Sequence, residues 1–152
     1  MGMLKERDRV PDFLSKDQDG TIIKLSDYLG KKLIVFFYPR ANTPGCTAEA
    51  CNLRDNYSEL KAQGYELLGV SEDSSRKQTN FRNKYDLPFP LLADEDHTVI
   101  DAFGVWGPKK FMGRQFDGLI RTTFIIDEQG VVERVINKVK TKDHANQILE
   151  TV

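Results

Sequence analysis

"KKLIVFFYPRANTPGCTAEAC", residues 31–51, holds a strand, a helix start and both cysteines of the 152-residue chain. Its apolar run, Leu33 to Tyr38, shows no alternation with polar residues, which is the pattern of a central strand covered on both faces. Pro39 has no backbone N–H to offer and ends the run. Thr43 suits a helix N-cap and Pro44 the first helical position, so a helix is expected from residue 44 to the stop signal at Gly64. "YELLGVS", residues 65–71, reads as a second buried strand. Strand, helix and strand in this order make a right-handed crossover with the two strands parallel.

Upstream, "DQDGTIIKLSDYLG" (17–30) reads as a turn, a short strand at residues 21–24 and a helical turn. Downstream, "SRKQTNFRNKYD" (75–86) is a helix that ends before Leu87-Pro88. "PLLAD" (90–94) is a short strand, "HTVIDAFGV" (97–105) a short helix, and residues 105–119 a glycine-rich loop. "IRTTFIID" (120–127) and "VVERVINKV" (131–139) form a hairpin around "EQG". The closing "TKDHANQILETV" places Ala145, Ile148, Leu149 and Val152 at helical spacing, a docking face. The expected fold is α/β, a central mixed β-sheet flanked by helices, as one domain over residues 1–152.

Composition narrows the function. The 22 basic and 23 acidic residues leave a net charge of −1, with no basic stripe, so neither nucleic acid nor an anionic membrane is an expected partner. The longest apolar run is too short to cross a bilayer, and the charged N-terminus lacks the apolar region of a signal peptide. "MG" at the start is followed by Glu6 where a myristoylation motif has Ser or Thr. A cytoplasmic location is expected, where stable structural disulfides are rare.

Cys46 falls at the third helical position, inside the turn whose N–H groups lack intrahelical partners. A helix N-terminus favours the thiolate, the nucleophilic form of cysteine. On a helical wheel Cys46 shares the apolar face with Ala50, Leu53, Tyr57 and Leu60, whereas Cys51 faces more nearly outward. Five residues of helix separate their Cα atoms by roughly 9 Å, against about 4.4–6.8 Å in a disulfide. A structural disulfide would therefore break the helix. A zinc site needs four ligands, and His97 and His144 lie far off without finger spacing. Two inert small hydrophobes and a reversible disulfide formed after local unwinding both remain open. If "IRTTFIID" runs antiparallel to "LIVFFY", Arg121 starts beside the cysteine loop, where a guanidinium favours ionised sulfur. A solvated arginine at a strand end is the alternative.

"FFYPRANTPGCTAEACNLRDNY" (36–57) resembles the peroxiredoxins of the bacterioferritin-comigratory-protein (PrxQ) type. The family pattern P-x-x-x-T-x-x-C matches Pro39, Thr43 and Cys46, and the C-x-x-x-x-C spacing of its two-cysteine form matches Cys46 and Cys51. "FGVWGPKKFMGRQFDGLIRTTFIID" (103–127) is similar to the same subgroup and aligns its active-site arginine with Arg121. The likeness runs from about Gly20 to the C-terminal helix. It implies a thioredoxin-like fold and a peroxide-reducing cycle without cofactor or metal. In that cycle Cys46 attacks the O–O bond and becomes a sulfenic acid, Cys51 resolves it as an intrachain disulfide, and thioredoxin or a similar dithiol reduces the product. Resolution keeps the sulfenic acid from irreversible oxidation.

The resemblance also gives Thr43, Arg121 and Pro39 roles. Arg121 and the Cys46 N–H would receive the charge that develops on oxygen. The Thr43 hydroxyl would accept from the peroxide and donate to the thiolate, and Pro39 would shield the pocket. Glu49 would join the polar network or remain a solvated helix charge. Trp106 and Phe116 would line the pocket or partner surface, or pack under a loop. His97 and His144 read as helix-start residues without a role. The implied partners are a peroxide and a dithiol reductant, with the chain a monomer or a weak homodimer. Two other classes compete: a thiol–disulfide exchanger, which normally uses C-x-x-C, and a redox-switched interaction or chaperone-like protein using the same cysteine pair.

Overall fold

In the computed structural model, which describes residues 2–150, the strand read from residues 33–38 is the centre of the molecule. The elements in chain order are β1 (Leu14–Lys16), β2 (Ile22–Lys24), β3 (Lys32–Phe37), α1 (Pro44–Asp55), α2 (Tyr57–Ala62), β4 (Tyr65–Ser71), α3 (Ser75–Lys84), β5 (Leu91–Ala93), α4 (Thr98–Phe103), β6 (Trp106–Phe111), β7 (Arg114–Leu119), β8 (Thr122–Ile126), β9 (Val132–Ile136) and α5 (His144–Leu149). A five-stranded sheet has the order β5-β4-β3-β8-β9. β3 pairs parallel to β4 and antiparallel to β8. The sheet is therefore mixed, as expected, with β3 in the middle.

The unbroken apolar run of β3 serves two cores. Ile34 and Phe36 face one side with Ala50, Leu53, Leu60, Phe81, Ile125 and Ile148. Leu33, Val35 and Phe37 face the other with Phe13, Val99, Ile100, Phe103 and Phe124. Helices α1, α2, α3 and α5 supply the first face and α4 the second. Gly69 of β4 is needed for packing, because a Cβ there would meet Leu91 at 2.7 Å and Phe36 at 2.9 Å.

Three elements depart from the sequence reading. The helix expected over residues 44–64 breaks at Asn56, which caps α1 at one end and α2 at the other. Its amide donates to the Asn52 carbonyl at 2.8 Å, a side chain competing with the backbone ladder. Residues 105–119 are not a loop: β6 and β7 pair as a hairpin from Trp106↔Leu119 to Phe111↔Arg114. Met112 and Gly113 turn it with φ of 52° and 79°, the positive pair that a two-residue type I′ turn requires. Its exposed strands lack the apolar alternation by which strands are recognised. β1 pairs with β2 and was absent from the reading.

The closing helix docks through Ala145 and Ile148, both buried, while Val152 lies outside the described residues. Asn52, on α1, holds this helix by its edge. Its Nδ2 donates to the Lys142 carbonyl at 3.1 Å, and its Oδ1 accepts from the Ala145 N–H at 2.8 Å.

Candidate active site

β3 ends at Phe37. The Tyr38 N–H still donates to the Val70 carbonyl at 3.0 Å, and Pro39 then turns the chain out of the sheet. The Ala41 N–H donates to Oδ2 of Asp73 at 2.7 Å, tying the loop to the end of β4. Thr43 is the N-cap residue of α1 with extended backbone, φ −85° and ψ 155°, and Pro44 opens the helix. These constraints place Cys46 in the first turn of α1, 1% exposed, against the first core.

Across the sheet, Phe37 of β3 pairs with Thr122 of β8. Arg121, the residue before Thr122, is thereby delivered to the start of α1. Its Nη2 donates to Sγ of Cys46 at 3.2 Å, and its Nη1 donates to Oε1 of Glu49 at 2.6 Å. Burial works against the charge on Arg121, but Glu49 and Cys46 outweigh it and raise its pKa. Glu49 is fully buried, which corrects the reading of a solvated helix charge. Burial pushes its carboxyl up to about 7, with Arg121 pulling the other way.

Thr43 turns its hydroxyl elsewhere than expected. It donates to the Arg40 carbonyl at 2.8 Å and neither caps α1 nor donates to Cys46. Thr43 still borders the site, since Pro39, Thr43, Cys46 and Arg121 line one cavity of ≈ 390 Å³. The β6–β7 hairpin forms the opposite wall through Trp106, Lys109 and Phe116. Trp106 and Phe116 are partly exposed and line the cavity. Lys109 donates from Nζ to the Leu119 carbonyl at 2.8 Å. Burial and the nearby Arg121 lower its pKa, with Cys46 opposing. A larger cavity of ≈ 510 Å³, lined by Val10, Leu25 and Leu29 among others, contains no cysteine or histidine.

Cys51 does not line the cavity. Both cysteines are free, and Cys51 is half-buried one turn further along α1. Burial raises its thiol pKa, with Arg54 lowering and Asp55 raising it further. Among the described residues no cluster of His, Cys, Asp and Glu could hold a metal ion, and no helix is long and apolar enough to cross a membrane.

Glu49, which the sequence offered as a member of the polar network, joins it through Arg121, and one further residue escaped the sequence reading. His144, read as a helix start without a role, is fully buried with Nε2 3.5 Å from Oε2 of Glu49. No sequence signal marked it.

A thioredoxin-like mixed sheet that delivers a helix-start thiol against a guanidinium defines a thiol-based oxidoreductase. Residues 7–135 match the model of the AhpC/TSA family. The chain is 48% identical over 149 residues to the peroxiredoxin Bcp of Escherichia coli (strain K12), covering 98% of this chain and 96% of that protein. The crystal structure of peroxidoxin BcpB from Mycobacterium tuberculosis superposes with a TM-score of 0.84 at 38% identity, over 96% of this chain and 94% of that one. A Xanthomonas campestris bacterioferritin comigratory protein, described for its alkyl peroxide reduction activity, does so with a TM-score of 0.84 at 33% identity, covering 93% and 95%. The chain belongs to the AhpC/TSA family as a peroxiredoxin of the Bcp (PrxQ) type. It is a peroxidase, an oxidoreductase that reduces peroxide.

Proposed function

We propose that Cys46 is the peroxidatic residue, that Cys51 resolves it, and that thioredoxin or a similar dithiol closes the cycle. The observation that carries this reading is the 3.2 Å contact between Nη2 of Arg121 and the Cys46 sulfur inside an accessible cavity. The thiolate attacks the nearer peroxide oxygen: an S–O bond forms, the O–O bond breaks, and hydroxide or alkoxide leaves to be protonated. Arg121 and the N–H groups of the α1 first turn face the charge as it develops, where preorganised donors contribute most. Thr43, its proton committed to Arg40, accepts the peroxide O–H and aligns the attack. Pro39 contributes shape and keeps water from the sulfur.

Cys51 then displaces the hydroxyl of the sulfenic acid as water, giving the Cys46–Cys51 disulfide. Helical spacing holds the two Cα atoms roughly 9 Å apart, so this step requires α1 to unwind between them. A dithiol returns both thiols by exchange. The partly exposed Trp106 and Phe116 give the cavity an apolar patch that suits an alkyl hydroperoxide as well as hydrogen peroxide. The setting that fits this cycle is the cytoplasm, where dithiol carriers are kept reduced. One domain spanning residues 1–152, as a monomer or weak homodimer, carries all the groups named.

The test is a coupled turnover assay with thioredoxin, followed by peptide mass spectrometry after brief peroxide exposure. One intrachain link between the two sulfurs is expected. Cys46→Ser abolishes turnover, whereas Cys51→Ser completes one round and accumulates sulfenic acid. Equal loss of the first oxidation step in both variants overturns the assignment. Oxidation without turnover favours a redox-switched interaction protein instead.

A further inference from the structure

Behind Arg121, outside the cavity wall, lies a buried acid–base pair for which the cycle above has no use. Oε1 of Glu49 is taken by Arg121, but Oε2 makes no hydrogen bond although it is fully buried. It faces Nε2 of His144 at 3.5 Å. A buried polar atom left without a partner costs about 1–3 kcal/mol, more when charged, so its protonation state is the question to settle.

The hydrogen bonds around His144 fix its tautomer. Gln147 Nε2 donates to the Lys138 carbonyl at 3.0 Å, and its Oε1 accepts from the Lys140 N–H at 2.8 Å. The amide orientation is thus determined, and Nδ1 of His144, 2.8 Å from the same Oε1, must carry a proton. Nε2 of the neutral ring is then an acceptor, 2.7 Å from the Thr123 hydroxyl. The Thr123 hydroxyl takes that lone pair, and the electron-rich nitrogen 3.5 Å from Oε2 offers it no proton, which disfavours a carboxylate there relative to a carboxylic acid. The two residues accommodate one proton between them. Burial drives Glu49 up to about 7 and His144 down to about 4, which puts that proton on Glu49.

The charged groups around the pair explain why it exists. Cys46 faces Arg121 from α1, Glu49 from the next turn, and Arg134 on β9 and Lys109 on the hairpin add positive charge. While Cys46 is a thiolate, Arg121 has a full counter-anion and Glu49 can stay neutral. Once the sulfur becomes a neutral sulfenic acid, that anion is gone.

We propose that Glu49 gives up and regains its proton in step with the sulfur, neutral opposite the thiolate and ionised opposite the sulfenic acid or disulfide. His144 is the positioning residue that keeps the proton on Glu49 in the reduced enzyme. The inference rests on Cys46 being the reacting sulfur. The oxidation balances as Cys46–S⁻ + ROOH + Glu49–COOH → Cys46–SOH + ROH + Glu49–COO⁻. Sulfur is oxidised, the peroxide is reduced, and the proton that Glu49 releases to solvent balances the one that the leaving oxygen takes up from water in the cavity. Resolution by Cys51 releases water without net proton change. Reduction by a dithiol supplies two protons, one to Cys51 and one back to Glu49. The buried cluster keeps the same net charge throughout.

The test uses Cys51→Ser, which stops at the sulfenic acid, with infrared difference spectroscopy of the protonated carboxyl stretch and dimedone trapping in parallel. Loss of one carboxyl band on oxidation is expected, together with absence of that band in Cys51→Ser/Glu49→Gln. Sulfenic acid trapped with the band unchanged overturns the proposal and leaves the Cys46 assignment standing; no sulfenic acid overturns both. In reduced His144→Gln an amide N–H donor can take the place of the acceptor nitrogen beside Oε2. The pH at which the band titrates should then fall by about one unit, a tenfold change in equilibrium constant. An unchanged midpoint in a folded variant removes His144 from the device.

Discussion

Phe37 and Thr122 are partners across the antiparallel β3–β8 ladder, and this one register determines where Arg121 falls. A side chain 75 residues from Cys46 in sequence is brought to 3.2 Å from its sulfur because β8 begins where β3 ends. The buried faces of β3 and β8 lock that register, since a slip by one residue would turn every apolar side chain to the wrong core.

Replacing Arg121 by Met keeps most of the stem and removes the charge. Peroxide reduction should fall by about 10²-fold, the scale of losing one preorganised donor. Alkylation of Cys46 by iodoacetamide at neutral pH should slow, while that of Cys51 should not change. Equal slowing at both cysteines would point to a disturbed α1 rather than a lost charge.

Gly45 separates activity from stability. A Cβ at this position would come within 3.3 Å of Nη2 of Arg121, so the guanidinium must give way by a few tenths of an ångström. Gly45→Ala should leave urea stability unchanged or raise it by up to about 1 kcal/mol, because alanine is the better helix former. It should also slow peroxide reduction. A variant as fast as the parent would show that the guanidinium position tolerates such a shift.

Glu49 and His144 leave opposite marks on stability. The folded state holds the Glu49 proton up to about pH 7, from an ordinary 4.5, so alone it makes stability fall as pH rises through that window. His144 resists protonation down to about pH 4, from an ordinary 6.5, so alone it makes stability rise between those values. Each slope is on the order of 1 kcal/mol per pH unit. Between 4.5 and 6.5 the pair binds one proton both folded and unfolded, on opposite partners, and the slopes cancel. Urea unfolding of Glu49→Gln should therefore gain stability from pH 4.5 to 6.5, and that of His144→Gln should lose it as pH rises above about 4.5. Parallel curves for the two variants would refute the coupling.

How far the sequence could be read depended on which residues carry periodicity. β3, β4, β8 and β9 are apolar over most of their lengths and were legible with their partners. That put Arg121 beside the cysteine loop as one of two readings from topology, the other being a solvated arginine at a strand end. The β6–β7 hairpin was not legible, because its strands lie on the surface and Met112-Gly113 lacks the Asn or Asp by which such turns are recognised. The break at Asn56 depends on one side-chain amide competing with the backbone. Glu49 and His144 reach each other only through the docking of α5 on α1, a contact between helices almost a hundred residues apart.

That docking gives the amide of Asn52 a second significance. It grips the residues on either side of the α5 start, and it sits directly after Cys51, at the edge of the segment whose unwinding the proposed disulfide requires. On the proposed cycle, disulfide formation would strain the grip of Asn52 on α5 and so turn a thiol reaction into a change of outline. Trypsin should cut after Lys140 or Lys142 faster in the oxidised protein than in the reduced one, and Asn52→Ala should erase most of the difference by loosening the reduced form as well.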